Sequence, residues 1–109
     1  MSITLPEPVE NYIRRANAHD ADGAAACFSA DAQVRDEGKV HRGRDAIRAW
    51  ISWSSAEYAA TNTPVACDTT AAGCVVTSEV AGNFRGSPLR ITFNFTLGAN
   101  AINALEITA

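Results

Sequence analysis

No stretch of this sequence approaches the roughly 18 consecutive apolar residues that a membrane-spanning helix needs. The first residues, Met1 to Pro6, lack the charged and apolar regions of a secretory signal peptide. There is no block of Lys or Arg, and the net charge is -3, which makes nucleic acid and an anionic membrane surface poor partners. We therefore expect a cytoplasmic protein that binds neither nucleic acid nor membrane.

The sequence has few cysteines, and their number is odd. The three residues Cys27, Cys67 and Cys74 have no metal-type spacing, which favours a reducing compartment. Cys67 and Cys74 could meet across a hairpin, although two ordinary buried thiols are the simpler expectation. The sequence also lacks a zinc-type arrangement of its two histidines, a glycine-rich phosphate loop and a Gly-x-Ser-x-Gly motif, so it implies no metal and no cofactor.

What the chain does have is enough apolar material for one packed domain. Of its 109 residues, 47% are hydrophobic and 19% are charged, the balance of an ordinary globular protein. That apolar content excludes a disordered chain, and the length predicts a single domain over residues 1–109. We find no linker, repeat or low-complexity tract.

The first half of the chain has helical spacing. Pro6 and Pro8 favour the start of a helix, and Asp20 is a good N-cap for a short second helix that we expect to run through Phe28. Gly43 precedes a third helix. The apolar side of the first helix is formed by Val9, Tyr12, Ile13 and Ala16, and that of the third by Ala46, Ile47, Trp50, Ile51 and Ser54, with Trp53 on the flank.

The remaining segments have the two-residue period of strands. Residues 32–37 alternate, so that Val34 and Asp36 share one face, and Val40 and His41 can pair back as a short strand. Four further strands are predicted over residues 65–70, 74–84, 89–97 and 101–107, the third with the clearest alternation. Three helices followed by antiparallel strands predict an α+β fold, with the helices on one face of the sheet.

Asp36 is the first candidate for chemistry, because alternation points it toward the apolar interior. A buried carboxylate is costly unless it is hydrogen-bonded or functional, and loss of solvation would raise its pKa and make it a better general base. The alternative is that Asp36 is solvated at the strand end and holds the turn at Gly38.

Aromatic and imidazole side chains are the other candidates. The hydroxyl of Tyr12 could donate to a substrate oxygen or to Asp36, or Tyr12 could be a core residue with a satisfied hydroxyl. His41 could act as an acid or base or lie at the mouth of a pocket, although an exposed loop histidine is the simpler interpretation. Four more aromatic residues are candidates for ligand contact, although a role in the core is the simpler interpretation for each: Trp50, Trp53, Phe93 and Phe95.

The segment from Tyr12 to Gly23 resembles the opening of the ketosteroid isomerase branch of the NTF2-like superfamily, which includes SnoaL-like proteins. Residues 30–36 continue the similarity, and Gly43 to Trp50 match the start of the family's third helix. The resemblance implies a cystatin-like cone with three helices on a curved antiparallel sheet, a hydrophobic pocket for a small apolar molecule, and a homodimer. The superfamily contains several kinds of enzyme as well as binding domains, so the fold alone does not specify the activity.

Carried over by position, the resemblance gives Tyr12 the role of the oxyanion-hole tyrosine and Asp36 that of the general base. The isomerase's second oxyanion donor, a protonated aspartic acid, falls on Phe93, whose phenyl ring donates no hydrogen bond. The loss of one such donor typically costs about 3–4 kcal/mol. Authentic steroid isomerisation is therefore not expected.

Three kinds of function stay open at this point. An enzyme could take a proton next to a carbonyl, as in isomerisation, aldol-type cyclisation or dehydration. A binding module would hold a ligand without turnover, and a dimerisation domain would have its pocket filled by Trp50, Phe93 and Phe95. A hydrolase would need a second buried acid, for which Glu79 and Glu106 are the open choices. The face expected to form the dimer carries Arg90, Thr92, Asn94 and Thr96.

Overall fold

Three helices lie on one face of a curved sheet of six strands. This architecture comes from a computed structural model, which describes residues 3–108. Within that range no helix is both long and apolar enough to cross a membrane. The elements are α1 (Glu7–Asn17), α2 (Ala21–Ala25), β1 (Phe28–Asp36), β2 (Lys39–Arg42), α3 (Gly43–Tyr58), β3 (Thr61–Thr69), β4 (Gly73–Ala81), β5 (Leu89–Gly98) and β6 (Ala101–Thr108).

The helices begin where the sequence predicts, but α2 is shorter than expected. Pro6 precedes α1, and the Oδ1 atom of Asp20 caps α2 by accepting from the N–H of Gly23 at 2.9 Å. We expected α2 to extend through Phe28, yet it ends at Ala25 and β1 begins at Phe28 instead of Ala32. The ring of Phe28 is fully buried edge-on against Tyr12, and this packing overrides the local helical preference.

The α+β class with three helices on a curved sheet is confirmed, and one strand pairing differs from the expectation. The strand order is β2-β1-β6-β5-β4-β3, and every neighbouring pair is antiparallel except β1 and β6, which run parallel. Alternation fixes the face of each side chain but not the neighbour across the ladder. The strands β2 and β3 form free edges, so the sheet curves without closing into a barrel.

The boundaries of β3 and β4 differ from the prediction at contacts with the helices. β3 begins at Thr61, four residues before the predicted start, and its first residues are held by α1: the side chain of Asn17 accepts from the N–H of Asn62 and donates to its carbonyl, both at 2.8 Å. β4 ends at Ala81 instead of Phe84, and the next residue, Gly82, lies so close to α3 that a Cβ atom there would be only 2.6 Å from the carbonyl oxygen of Tyr58.

The core lies between the helices and the inner face of the sheet. On β5 the predicted alternation is present: Phe93 and Phe95 are buried, whereas Arg90, Asn94 and Thr96 are exposed on the opposite side. The largest fully buried side chains are Phe28, Phe95, Ile47, Ile102 and Leu105.

The two cysteines of the β3–β4 hairpin share one face of it. Cys67 lies opposite Val76 and Cys74 opposite Thr69, which makes the two thiols diagonal neighbours. Both are free. Burial raises the pKa of the Cys74 thiol to about 11, with a smaller contribution from Cys67, so Cys74 stays protonated near neutral pH.

The link between Asn17 and Asn62 predicts a measurable loss of stability. β3 is an edge strand, and Asn17 satisfies outward-facing backbone groups that no strand covers. Asn17→Ala should lower the free energy of unfolding by about 1–2 kcal/mol in urea titrations. Asn11→Ala is the matched control, since within residues 3–108 its side chain forms a hydrogen bond only with the exposed Arg14, and it should stay within about 0.5 kcal/mol of wild type. Equal midpoints for the two variants would contradict a stabilising role for the link.

Candidate functional site

A cavity of about 540 Å³ opens between α1, α3 and the inner face of the sheet. This size lies within the range of small-molecule sites. Most of the wall's surface is apolar, and its two acidic groups are Asp36, the last residue of β1, and Glu37, which follows it. The apolar wall includes Ala16, Ile51, Val80, Ile91, Phe93 and Ile107.

Asp36 enters the cavity from the last position of β1. Ala32 and Val34, on the same strand face, are fully buried, and Asp36 itself is half-buried. Burial raises the pKa of Asp36, and the neighbouring Glu37 adds to that rise. Trp50 opposes it, because its Nε1–H donates to Oδ2 of Asp36 at 3.2 Å. The carboxylate is therefore partly desolvated yet held by hydrogen bonding to Trp50, an environment suited to a general base.

Tyr12 lines the same cavity from α1. Its side chain is only 4% exposed, and its ring packs edge-on against Phe28 and Phe95, with centroid distances of 5.4 and 6.0 Å. Burial raises the pKa of the phenol far above its usual value, and the nearby charge of Asp36 acts in the same direction. The hydroxyl therefore stays protonated, as a hydrogen-bond donor must.

Trp50 and His41 form part of the wall and its backing. Trp50 is buried on α3 and lines the cavity. The imidazole of His41 stacks on the indole, with a centroid distance of 5.8 Å and planes 28° apart. His41 itself does not line the cavity, because it lies on the edge strand β2, opposite Val34. It affects the site indirectly: it contacts Trp50, and its charge lowers the pKa of Asp36.

The remaining predicted contacts divide between the cavity, the core and the surface. Phe93 lines the cavity. Phe95 does not, because it is fully buried beneath Tyr12 and stacks on Phe93 with a centroid distance of 6.4 Å. Trp53 is 53% exposed, because it lies about 200° around the α3 axis from the buried Ile51. Of the seven predicted site residues, the structure thus brings Tyr12, Asp36, Trp50 and Phe93 to the cavity and leaves His41, Trp53 and Phe95 outside it.

Several cavity residues are missing from the sequence-based prediction. Tyr58 lines the cavity and follows Trp50 and Ser54 at four-residue intervals, so the helical period could have identified it. Asn62 meets Asn17 from 45 positions away, a contact without any local signal. Arg85 lies in the irregular segment between β4 and β5, where no periodicity applies.

Neither Glu79 nor Glu106 supplies the second buried acid that a hydrolase would need. Glu79 and Glu106 are both exposed and do not line the cavity, and Glu106 lies within 4.0 Å of Arg35 instead. Among residues 3–108, no three His, Cys, Asp or Glu side chains come together in a way that could hold a metal ion.

Comparison with known proteins places this geometry in a family. The sequence model of the SnoaL-like domain matches residues 9–101. No curated protein matches the chain by sequence. The structure of a candidate polyketide cyclase from Sinorhizobium meliloti superposes with a TM-score of 0.92 at 32% sequence identity, over 95% of each chain.

Two more distant structures share the fold at 17% identity. A protein from Catenulispora acidiphila with a ketosteroid isomerase-like fold, in complex with trimethylamine, has a TM-score of 0.86 and covers 97% of this chain and 87% of its own. Protein RV0760c from Mycobacterium tuberculosis, in complex with estradiol-17β-hemisuccinate, has a TM-score of 0.80 and covers 94% and 91%. The expected resemblance to NTF2-like proteins is confirmed, and the chain belongs to the SnoaL-like domain family.

Proposed function

We propose that this protein is an enzyme that takes a proton from a carbon next to a carbonyl group in a small apolar substrate. Isomerisation, aldol-type cyclisation and dehydration all begin with that step. The observation that carries the proposal is that a partly desolvated carboxylate, Asp36, and a buried protonated phenol, Tyr12, line one largely apolar cavity. The 32% identity to a candidate polyketide cyclase supports it.

In this proposal Asp36 is the general base and Tyr12 stabilises the product of its action. The carboxylate takes the proton, and the electron pair left behind moves onto the carbonyl oxygen to give an enolate. The Tyr12 hydroxyl donates a hydrogen bond to that oxygen, and Trp50 holds the carboxylate through its N–H. Donors fixed in advance in a low-dielectric site are worth more than the same groups in water.

Phe93 restricts the substrates that such a site can serve. It lines the cavity at the position where the resemblance places a second oxyanion donor, and its ring cannot donate. With one donor fewer, the barrier for a weak carbon acid rises by about 3–4 kcal/mol. We therefore expect a substrate whose carbon acid is already activated, such as a β-dicarbonyl compound, and not a simple steroid ketone.

A second candidate function is ligand binding without turnover, which the same largely apolar cavity would also serve. Complexes of relatives with trimethylamine and with estradiol-17β-hemisuccinate show that those proteins hold small molecules.

The homodimer stays a prediction that light scattering in solution would decide. The outer face of β5, where we expect the interface, has Arg90, Asn94 and Thr96 exposed. The cytoplasmic location stays a prediction as well.

Removing the base should abolish proton exchange. Asp36→Asn is expected to slow enzyme-dependent deuterium incorporation at the α-carbon of α-substituted β-keto esters by about 100- to 10 000-fold, the usual contribution of a general base. Mass spectrometry in heavy water measures the rate. Asp68→Asn is the matched control, because Asp68 is exposed on β3 and does not line the cavity. Exchange at the wild-type rate in Asp36→Asn would exclude the base role, and no exchange by wild type would favour the binding function.

Removing the donor should slow the same exchange without weakening the fold. Tyr12→Phe keeps the ring that packs on Phe28 and Phe95 and deletes only the hydroxyl. The rate should fall about 100- to 1000-fold, while the urea midpoint stays near that of wild type. A rate within twofold of wild type would show that the hydroxyl is not an oxyanion donor.

The hydrogen bond from Trp50 predicts the direction of a pKa change. Burial raises the pKa of Asp36, and the Trp50 N–H partly reverses this by stabilising the carboxylate. Trp50→Phe should therefore raise the pKa further, and the base, which acts when deprotonated, would become active only at higher pH. Carboxyl-carbon NMR titration measures both changes.

The exposed Trp53 provides the control for that titration. Trp53→Phe makes the same substitution three residues along α3, away from the cavity, and should leave the Asp36 pKa unchanged. An unchanged or lower pKa in Trp50→Phe would mean that the indole does not stabilise the carboxylate.

A further inference from the structure

We propose that the ligand of this cavity carries an anionic group, which Arg85 binds at the mouth. The inference deepens the proposed function by naming the substrate class for the same cavity. Arg85 is the only cationic residue among the described side chains that line the cavity. It is exposed, and the ion pairs formed within residues 3–108 involve other arginines: Arg15, Arg35 and Arg48.

The segment that carries Arg85 is fixed to the end of α3. The N–H of Asn83 donates to the carbonyl of Tyr58 at 2.6 Å, and the ring of Phe84 packs edge-on against that of Tyr58, with centroids 5.9 Å apart. Within the segment, the N–H of Gly82 donates to Oγ of Ser87 at 2.9 Å. These contacts set the backbone on both sides of Arg85, which lines the cavity.

The acidic and basic groups of the cavity wall lie on different elements. Asp36 and Glu37 lie at and just after the end of β1, whereas Arg85 lies between β4 and β5. Within residues 3–108 no ion pair joins Arg85 to Asp36 or Glu37, so the guanidinium is available for an external partner. An anionic group placed near Asp36 and Glu37 would be repelled, which leaves Arg85 as its favourable partner.

This arrangement orients a ligand with an apolar body and one acidic end. The body would lie against the apolar wall, and the carboxylate, sulfonate or phosphate would meet the planar guanidinium, which suits such oxyanions. The chain as a whole carries a net charge of -3 and does not attract anions generally. A preference for an anionic ligand would thus have to arise locally, and removal of one residue would abolish it.

Two dyes with the same ring system test the inference. 8-Anilinonaphthalene-1-sulfonate carries one anionic group, and N-phenyl-1-naphthylamine is its uncharged parent. Fluorescence titration of wild type at low salt should give a dissociation constant about 3- to 10-fold lower for the sulfonate, the range expected for a charge-assisted contact that remains partly solvated. The preference should shrink as salt is added.

Matched variants identify the group responsible. Arg85→Gln should abolish the preference, whereas Arg42→Gln, which removes an equal charge at an exposed position outside the cavity, should retain it. Ser54→Trp places a large side chain in the cavity wall and should weaken both dyes. A preference that survives Arg85→Gln, equal affinities in wild type, or a sulfonate affinity unaffected by Ser54→Trp would each overturn the inference.

The outcome can be separated from that of the proposed chemistry. Asp36→Asn removes the proposed base but also removes a negative charge from the cavity, so it should leave sulfonate binding intact or tighter. A protein that loses proton exchange in Asp36→Asn but shows no dependence on Arg85 would keep the proposed function and refute the anionic ligand. A protein that binds the sulfonate through Arg85 but catalyses no proton exchange would support the anionic ligand and refute the proposed function.

Discussion

The ring of Tyr12 joins the parts of the fold on which the cavity depends. It contacts Phe28 at the start of β1 and Phe95 in the middle of β5, so one side chain of α1 fixes the helix against two strands that are separated in the sheet by β6. These contacts involve the ring, and the same residue lines the cavity. The same packing that buries the phenol therefore keeps it protonated.

Asp36 is the point at which structural and chemical requirements oppose one another. Its position on the inward face of β1 follows from alternation with Ala32 and Val34, and its burial disfavours the charged form. The indole N–H of Trp50 and the imidazole of His41 act in the other direction. His41 stacks on the same indole, so α3 and β2 together decide how readily the carboxylate holds or releases a proton.

The open curvature of the sheet leaves room for the cavity. β2 and β3 do not pair with each other, and Asn17 satisfies the edge of β3 where no strand does. The segment after β4 packs against the end of α3, because Gly82 allows it to approach the carbonyl of Tyr58 closely. Trp50 and Phe93, two of the side chains that could have filled the space, line it instead, and Phe95 packs into the core below.

The sequence by itself determined the fold class, the helical stripes and the faces of the strands, because each depends on local periodicity. It also indicated that Tyr12 and Asp36 point inward, and the structure places both at one cavity. Only the tertiary structure decided that β1 runs parallel to β6. It also decided that the Trp50 N–H donates a hydrogen bond to Asp36 and that Arg85 lines the cavity. Those features depend on which distant segments meet, and the period of a single strand or helix specifies the direction of a side chain without naming its partner.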